Sequence, residues 1–144
     1  MYKPMIAALA LVAATLPASA GQPQDDDTIT TLFAKALEAY REQGYKPTGW
    51  EQKGKLAAKG EQLFKVTLTG GSSFQLVGVC DNDCDDLDIQ LLDSAGKEVD
   101  KDDKKDDFPI VGTTSAGTYQ ARVTMVACKT DRCAFGVKAF VQGD

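Results

Sequence analysis

Polar and apolar residues change their rhythm along the chain. Between Thr28 and Gln43, Ile29, Leu32, Phe33, Ala36, Leu37 and Tyr40 recur at helical spacing. That spacing lines one face of an α-helix. Asp27 or Thr28 is placed to cap its start, and the preceding aspartates suit the positive end of a helix dipole. Gly44, with Pro47 shortly after, supplies the stop. The apolar stripe needs a partner surface. Docking on the domain that follows is simpler than dimerisation, so a monomer is expected.

From Gln62 the period becomes two. Phe64, Val66 and Leu68 alternate with Lys65, Thr67 and Thr69, and Gly70-Gly71 marks a turn. Phe74 to Cys80 forms a second strand, with Phe74, Leu76 and Gly78 on one face and Gln75, Val77 and Val79 on the other. Asp86 to Leu92 is a third: Leu87, Ile89 and Leu91 face one way, Asp86, Asp88 and Gln90 the other. Asp93 to Gly96 is a turn. Phe108 to Thr113 follows, with Pro109 pointing to an edge or a strand start. Thr118 to Ala127 and Ala134 to Val141 complete the series. Tyr45 to Gly60 is turn-rich, with a short strand near Lys55 to Ala58 and with Trp50 as a core or docking residue. Short strands joined by turns, with one helix in front, predict an all-β fold: an antiparallel β-sandwich preceded by one N-terminal α-helix. The domain division is a leader over 1–20, a lead-in, helix and connector over 21–60, and the sandwich over 61–144.

The start of the chain adds an address. Lys3, the apolar run Met5 to Leu16 and the triplet Ala18-Ser19-Ala20 have the layout of a secretory signal peptide. The run is too short for a membrane-spanning helix. An exported product, periplasmic or extracellular, with no membrane insertion after cleavage, is the expectation. Export makes the four cysteines candidates for disulfides. They fall as two close pairs, Cys80/Cys84 and Cys128/Cys133. Local pairing is favoured, because Cys128 and Cys133 bracket a four-residue loop between two predicted strands, and a hairpin there would set them across from each other. The alternative joins Cys80 to Cys128 and Cys84 to Cys133. A zinc site fits poorly, since the chain has no histidine and its thiols would meet an oxidising compartment.

Charge is concentrated in one place. Asp81 to Asp107 holds twelve acids against four lysines, a net of −8. Such a surface repels phosphates, so nucleic acid is not expected as a partner. A cation or a basic partner fits better. Asp81, Asp83 and Asp85 have the alternating oxygen spacing of calcium loops. The EF-hand pattern fails, because its sixth and twelfth positions would be Asp86 and Leu92. Asp86 and Asp88 share a strand face, and the loop carrying Asp102, Asp103, Asp106 and Asp107 could fold back beside them. Converging carboxylates repel unless a cation neutralises them. The candidate metal ligands are therefore Asp81, Asp83, Asp85, Asp86, Asp88, Asp106 and Asp107, with Ca2+ the candidate cofactor. The competing reading is that Asp86 and Asp88 accept backbone amides of the loop, while Lys97, Lys101, Lys104 and Lys105 screen the rest. No enzyme is expected: without histidine, the usual general base and the Ser-His-Asp triad are missing.

The order "LFKVTLTGGSSFQLVGVC", "DDLDIQLLDSAGKEV", "DDFPIVGTTSAGTYQARVTM", "FGVKAFV" resembles the bacterial pre-peptidase C-terminal domain. The resemblance spans Glu61 to Val141. It rests on Asp86 to Asp93 with Gly96, and on Ser115 to Val123. It implies a jelly-roll-like sandwich and an accessory, non-catalytic role, often beside secreted proteases. Relatives with the same plan include collagen-binding domains that take calcium. This chain departs from the pattern in its two cysteine pairs, its preceding helix and its want of a peptidase domain. A binding module that engages an envelope or extracellular protein or glycan is the functional expectation. The alternative is an interaction protein that uses its N-terminal helix and binds no metal.

Overall fold

The computed structural model describes residues 23–143. The predicted signal peptide, with Lys3, Met5 to Leu16 and Ala18 to Ala20, lies outside the described residues. Helix α1 spans Pro23–Glu42. It begins earlier than the apolar stripe, because Pro23 has the fixed φ that suits a first helical turn. Asp27 and Thr28 are thus inside the helix and do not cap it. The C-terminal end is a Schellman turn. Tyr45 N–H donates to Tyr40 O (2.9 Å), and Gly44 N–H donates to Arg41 O (3.0 Å). Gly44 sits at φ 87°, where a side chain would be strained. The Tyr40 and Tyr45 rings meet edge to face at 5.3 Å, the apolar contact that accompanies such a stop.

Eight strands follow: β1 Lys46–Leu56, β2 Glu61–Leu68, β3 Ser73–Cys80, β4 Cys84–Asp93, β5 Glu98–Asp102, β6 Ile110–Thr113, β7 Gly117–Cys128 and β8 Cys133–Gln142. They form two antiparallel sheets in the orders β1-β8-β3-β6 and β2-β7-β4-β5. That order is a jelly roll. Two strands depart from the sequence reading. The turn-rich connector is the long edge strand β1, paired with β8 from Lys46↔Val141 to Leu56↔Cys133 and bulged between Pro47 and Glu51. The charged stretch contains β5, paired with β4. Both escape period-two analysis because edge strands carry few buried apolar residues.

The sheets close over Val66, Leu68, Phe74, Leu76, Leu87, Ile89, Leu91, Tyr119, Ala121, Val123, Met125, Phe135 and Val137, all buried. The first sheet is covered on its other side by α1. Ile29, Phe33, Ala36 and Tyr40 pack on Val77, Val79, Ala134 and Phe140. Strands β3 and β8 are therefore buried on both faces, which explains their nearly continuous apolar sequences. Gly136 permits the approach: a Cβ there would lie 2.5 Å from the Phe33 ring and 2.7 Å from Ile29. Tyr40 stacks on Phe140 at 4.5 Å, and its hydroxyl bonds to Gln75 Oε1. Burial, with Tyr45 beside it, pushes the Tyr40 phenol up to about 12.

Side chains also stitch the sheets together at both open edges. Trp50 on β1 packs edge-on to Phe64 and donates from Nε1 to the Lys65 carbonyl on β2 (3.1 Å). At the other edge, Asp100 and Asp102 on β5 accept the N–H groups of Gly112 (2.8 Å) and Ile110 (2.9 Å) on β6. Unpaired edge amides invite pairing with another chain, and these carboxylates occupy them.

Candidate functional site

Several carboxylates of the acidic segment hold backbone. Asp81 is buried; its Oδ1 accepts Asp83 N–H (3.0 Å) and its Oδ2 accepts Ala134 N–H (2.7 Å). Asp93 Oδ1 accepts Ala95 N–H and Lys97 N–H, which shapes the turn at Gly96. Asp102 Oδ1 takes Lys104 N–H, and Asp106 Oδ1 takes Phe108 N–H. Asp85 is exposed and paired with Lys129 at 3.3 Å. Asp83 and Asp107 are exposed. The spacing of Asp81, Asp83 and Asp85 thus serves a capped turn inside a disulfide loop. Both bridges are local, Cys80–Cys84 and Cys128–Cys133. The two loops are joined to one another as well: Asp81 N–H donates to Ala134 O, and Lys129 N–H donates to Asp83 O.

Two carboxylates hold buried oxygens without such partners. Asp86 and Asp88 stand on the outer face of β4, where bulges around Asp86 interrupt its pairing with β7. Asp86 is only 8% exposed. Oδ1 of Asp86 and Oδ1 of Asp88 are both buried without a hydrogen-bond partner. They do not accept loop amides; the one amide bond at this point runs from Leu87 N–H to Asp106 O (2.9 Å). The two carboxyl groups are neighbours on this face and interact electrostatically. Two ionised carboxylates side by side offer each other no donor and repel. Burial first, then Asp86, then Asp103 and Asp102 push the Asp88 carboxyl from 3.8 up to about 6.

Register places the surroundings. Asp88 lies opposite Thr124, and Gln90 lies between Arg122 on β7 and Lys101 on β5. A shallow cleft of about 280 Å³ opens here, lined by Asp88, Gln90, Arg122, Thr124, Lys101 and Asp103 among others. Arg122 Nη1 donates to Gln90 Oε1 (2.7 Å), and Gln90 Nε2 donates to Glu98 Oε1 (3.0 Å). Lys101 pairs with Asp103 at 3.5 Å. The sequence pattern puts Gln90 beside Asp88, but the presence of Arg122 and Lys101 depends on register between strands far apart in the chain.

The residues present fit a bound cation in one respect and limit it in another. Asp86 and Asp88 supply buried oxygens that lack a positive partner. Among the described residues, no three acidic or cysteine side chains converge to hold a metal between them. Calcium needs six to eight oxygens, so main-chain carbonyls or water would have to complete its shell. No family model matches the chain, and no curated protein matches it. The two disulfides suit an oxidising, exported environment. Among the described residues no helix is long and apolar enough to cross a membrane.

Proposed function

We propose that this protein is a non-catalytic binding module of the periplasm or extracellular space, stabilised by calcium, that engages a protein or glycan. The observation that carries the reading is the orphaned pair Asp86/Asp88 on the sheet face that the helix leaves uncovered. Asp86 and Asp88 would hold the ion, with Asp103 adding negative charge nearby. Calcium would supply the positive charge that the pair lacks. Asp81 and Asp106 are left out of this set because their oxygens are taken by backbone amides. Asp83, Asp85 and Asp107 are left out because they are exposed. The cleft beside the pair, with Arg122, Gln90 and Lys101, is where the partner would dock. The likeness to pre-peptidase C-terminal domains supports an accessory role. The helix-based alternative draws less support, because the apolar stripe of α1 is buried in cis.

Calorimetric titration of demetallated protein with calcium is the test of the ion. Heat from the wild type, and none from Asp88→Asn, is the expected result. No heat and no change in melting temperature would remove the ion from the account. Glycan-array and cross-linking assays in calcium, comparing wild type with Arg122→Glu, test the docking face.

A further inference from the structure

We propose that the two disulfides form an exchangeable pair that responds to a dithiol reductant outside the cell membrane. In the β4–β7 ladder, Cys84 and Cys128 are directly opposed. They belong to different bridges, yet facing residues of an antiparallel pair have Cα atoms about 4.5–5.5 Å apart, within disulfide range. All four cysteines join one core cluster, with Cys80, Cys84 and Cys133 buried and Cys128 half-buried at its margin. The loops that carry them are held together by the Asp81–Ala134 and Lys129–Asp83 backbone bonds. Each native bridge closes a short loop, with sequence separations of 4 and 5. By the chain-entropy account such short loops contribute little stability. Neither bridge joins one strand to its neighbour across a sheet.

The Cys128–Cys133 bridge closes the loop that carries the chain from β7 in one sheet to β8 in the other, rather than the tip of a hairpin, and Lys129, Thr130, Asp131 and Arg132 are exposed there. A dithiol reduces it, itself becoming a disulfide, and leaves thiols on Cys128 and Cys133. The Cys128 thiolate then attacks Cys84 Sγ. The Cys84–Cys128 bond forms, the Cys80–Cys84 bond breaks, and Cys80 leaves as a thiolate that takes up a proton. The net change is two electrons, with one disulfide kept. The bridge now spans β4 and β7, and the Cys80–Cys84 loop that holds Asp81 is untied. The exported protein thereby reports the local thiol balance through the loop next to its acidic face.

Two measurements test this. In Cys133→Ser, Cys128 is left with a free thiol. Acid quenching, alkylation and peptide mapping should find a Cys84–Cys128 bridge and an alkylated Cys80. Alkylation of Cys128 alone, with Cys80–Cys84 intact, would overturn the proposal. Should that variant fail to fold, wild-type protein treated with one equivalent of a dithiol serves instead. Its singly reduced form should carry Cys84–Cys128. A singly reduced form holding only native bridges would refute exchange.

Discussion

Replacing Asp88 with asparagine should stabilise the protein above pH 6 and leave it unchanged near pH 4. Burial and the neighbouring Asp86, Asp103 and Asp102 raise the folded-state value from 3.8 to about 6. The folded protein therefore holds this proton more tightly than the unfolded chain does. The associated stability is fully present below the unfolded value and is lost as pH rises through the folded one. A displacement of that size corresponds to about 3 kcal/mol. Asp88 keeps partial contact with solvent, and screening reduces the effect to about 1–2 kcal/mol. The asparagine side chain is close in shape to aspartate and carries no charge. In chelator at pH 7.5 the Asp88→Asn variant should gain about 1–2 kcal/mol, or about 3–8 °C in melting temperature. Urea unfolding and thermal unfolding, each followed by the single Trp50, half-buried against Phe64, give the two values. The difference between variant and wild type should grow between pH 4 and pH 6.5. An equal difference at pH 4 and 7.5, or a less stable variant at pH 7.5, would refute the reasoning.

Other perturbations test the scaffold around the pair. Gly136→Val should cost about 1–3 kcal/mol through overpacking against Phe33 and Ile29, read by urea unfolding. Phe33→Ala should cost about 3 kcal/mol and raise amide exchange along α1 while the strands stay protected. Asp102→Ala leaves the Ile110 amide without its side-chain acceptor. It should cost about 1 kcal/mol and increase concentration-dependent association, seen by light scattering. Removing the bridge of the β7–β8 loop with Cys128→Ser and Cys133→Ser together should cost about 2 kcal/mol and leave the fold's circular dichroism intact.

The interior strands were legible because their side chains alternate or run apolar. Leu87, Ile89 and Leu91 sit in the core as the period of two requires, and the two-sided apolar faces of β3 and β8 mark the sheet that α1 covers. β5 was hidden because its inward positions are Asp100 and Asp102, which serve backbone amides of a strand in the other sheet. A carboxylate bound to an amide and one bound to nothing read identically in sequence. Composition therefore pooled Asp81, Asp83, Asp85, Asp106 and Asp107 with Asp86 and Asp88, although only the last two keep buried oxygens without partners. Spacing could not separate them, because the amides that satisfy Asp81 and Asp102 come partly from Ala134 and Ile110, elsewhere in the chain.

Carboxyl-carbon NMR of Asp86 and Asp88, titrated with acid in chelator and again with calcium, tests the central claim most directly. That claim is that this pair waits for one positive charge, either a proton or calcium. The account predicts that the pair takes up its first proton near pH 6 in chelator. It further predicts that calcium at pH 7.5 shifts these two carboxyl signals and suppresses that titration. Carboxyls that both titrate at about 4, the ordinary aspartate range, and that calcium leaves unmoved would contradict it.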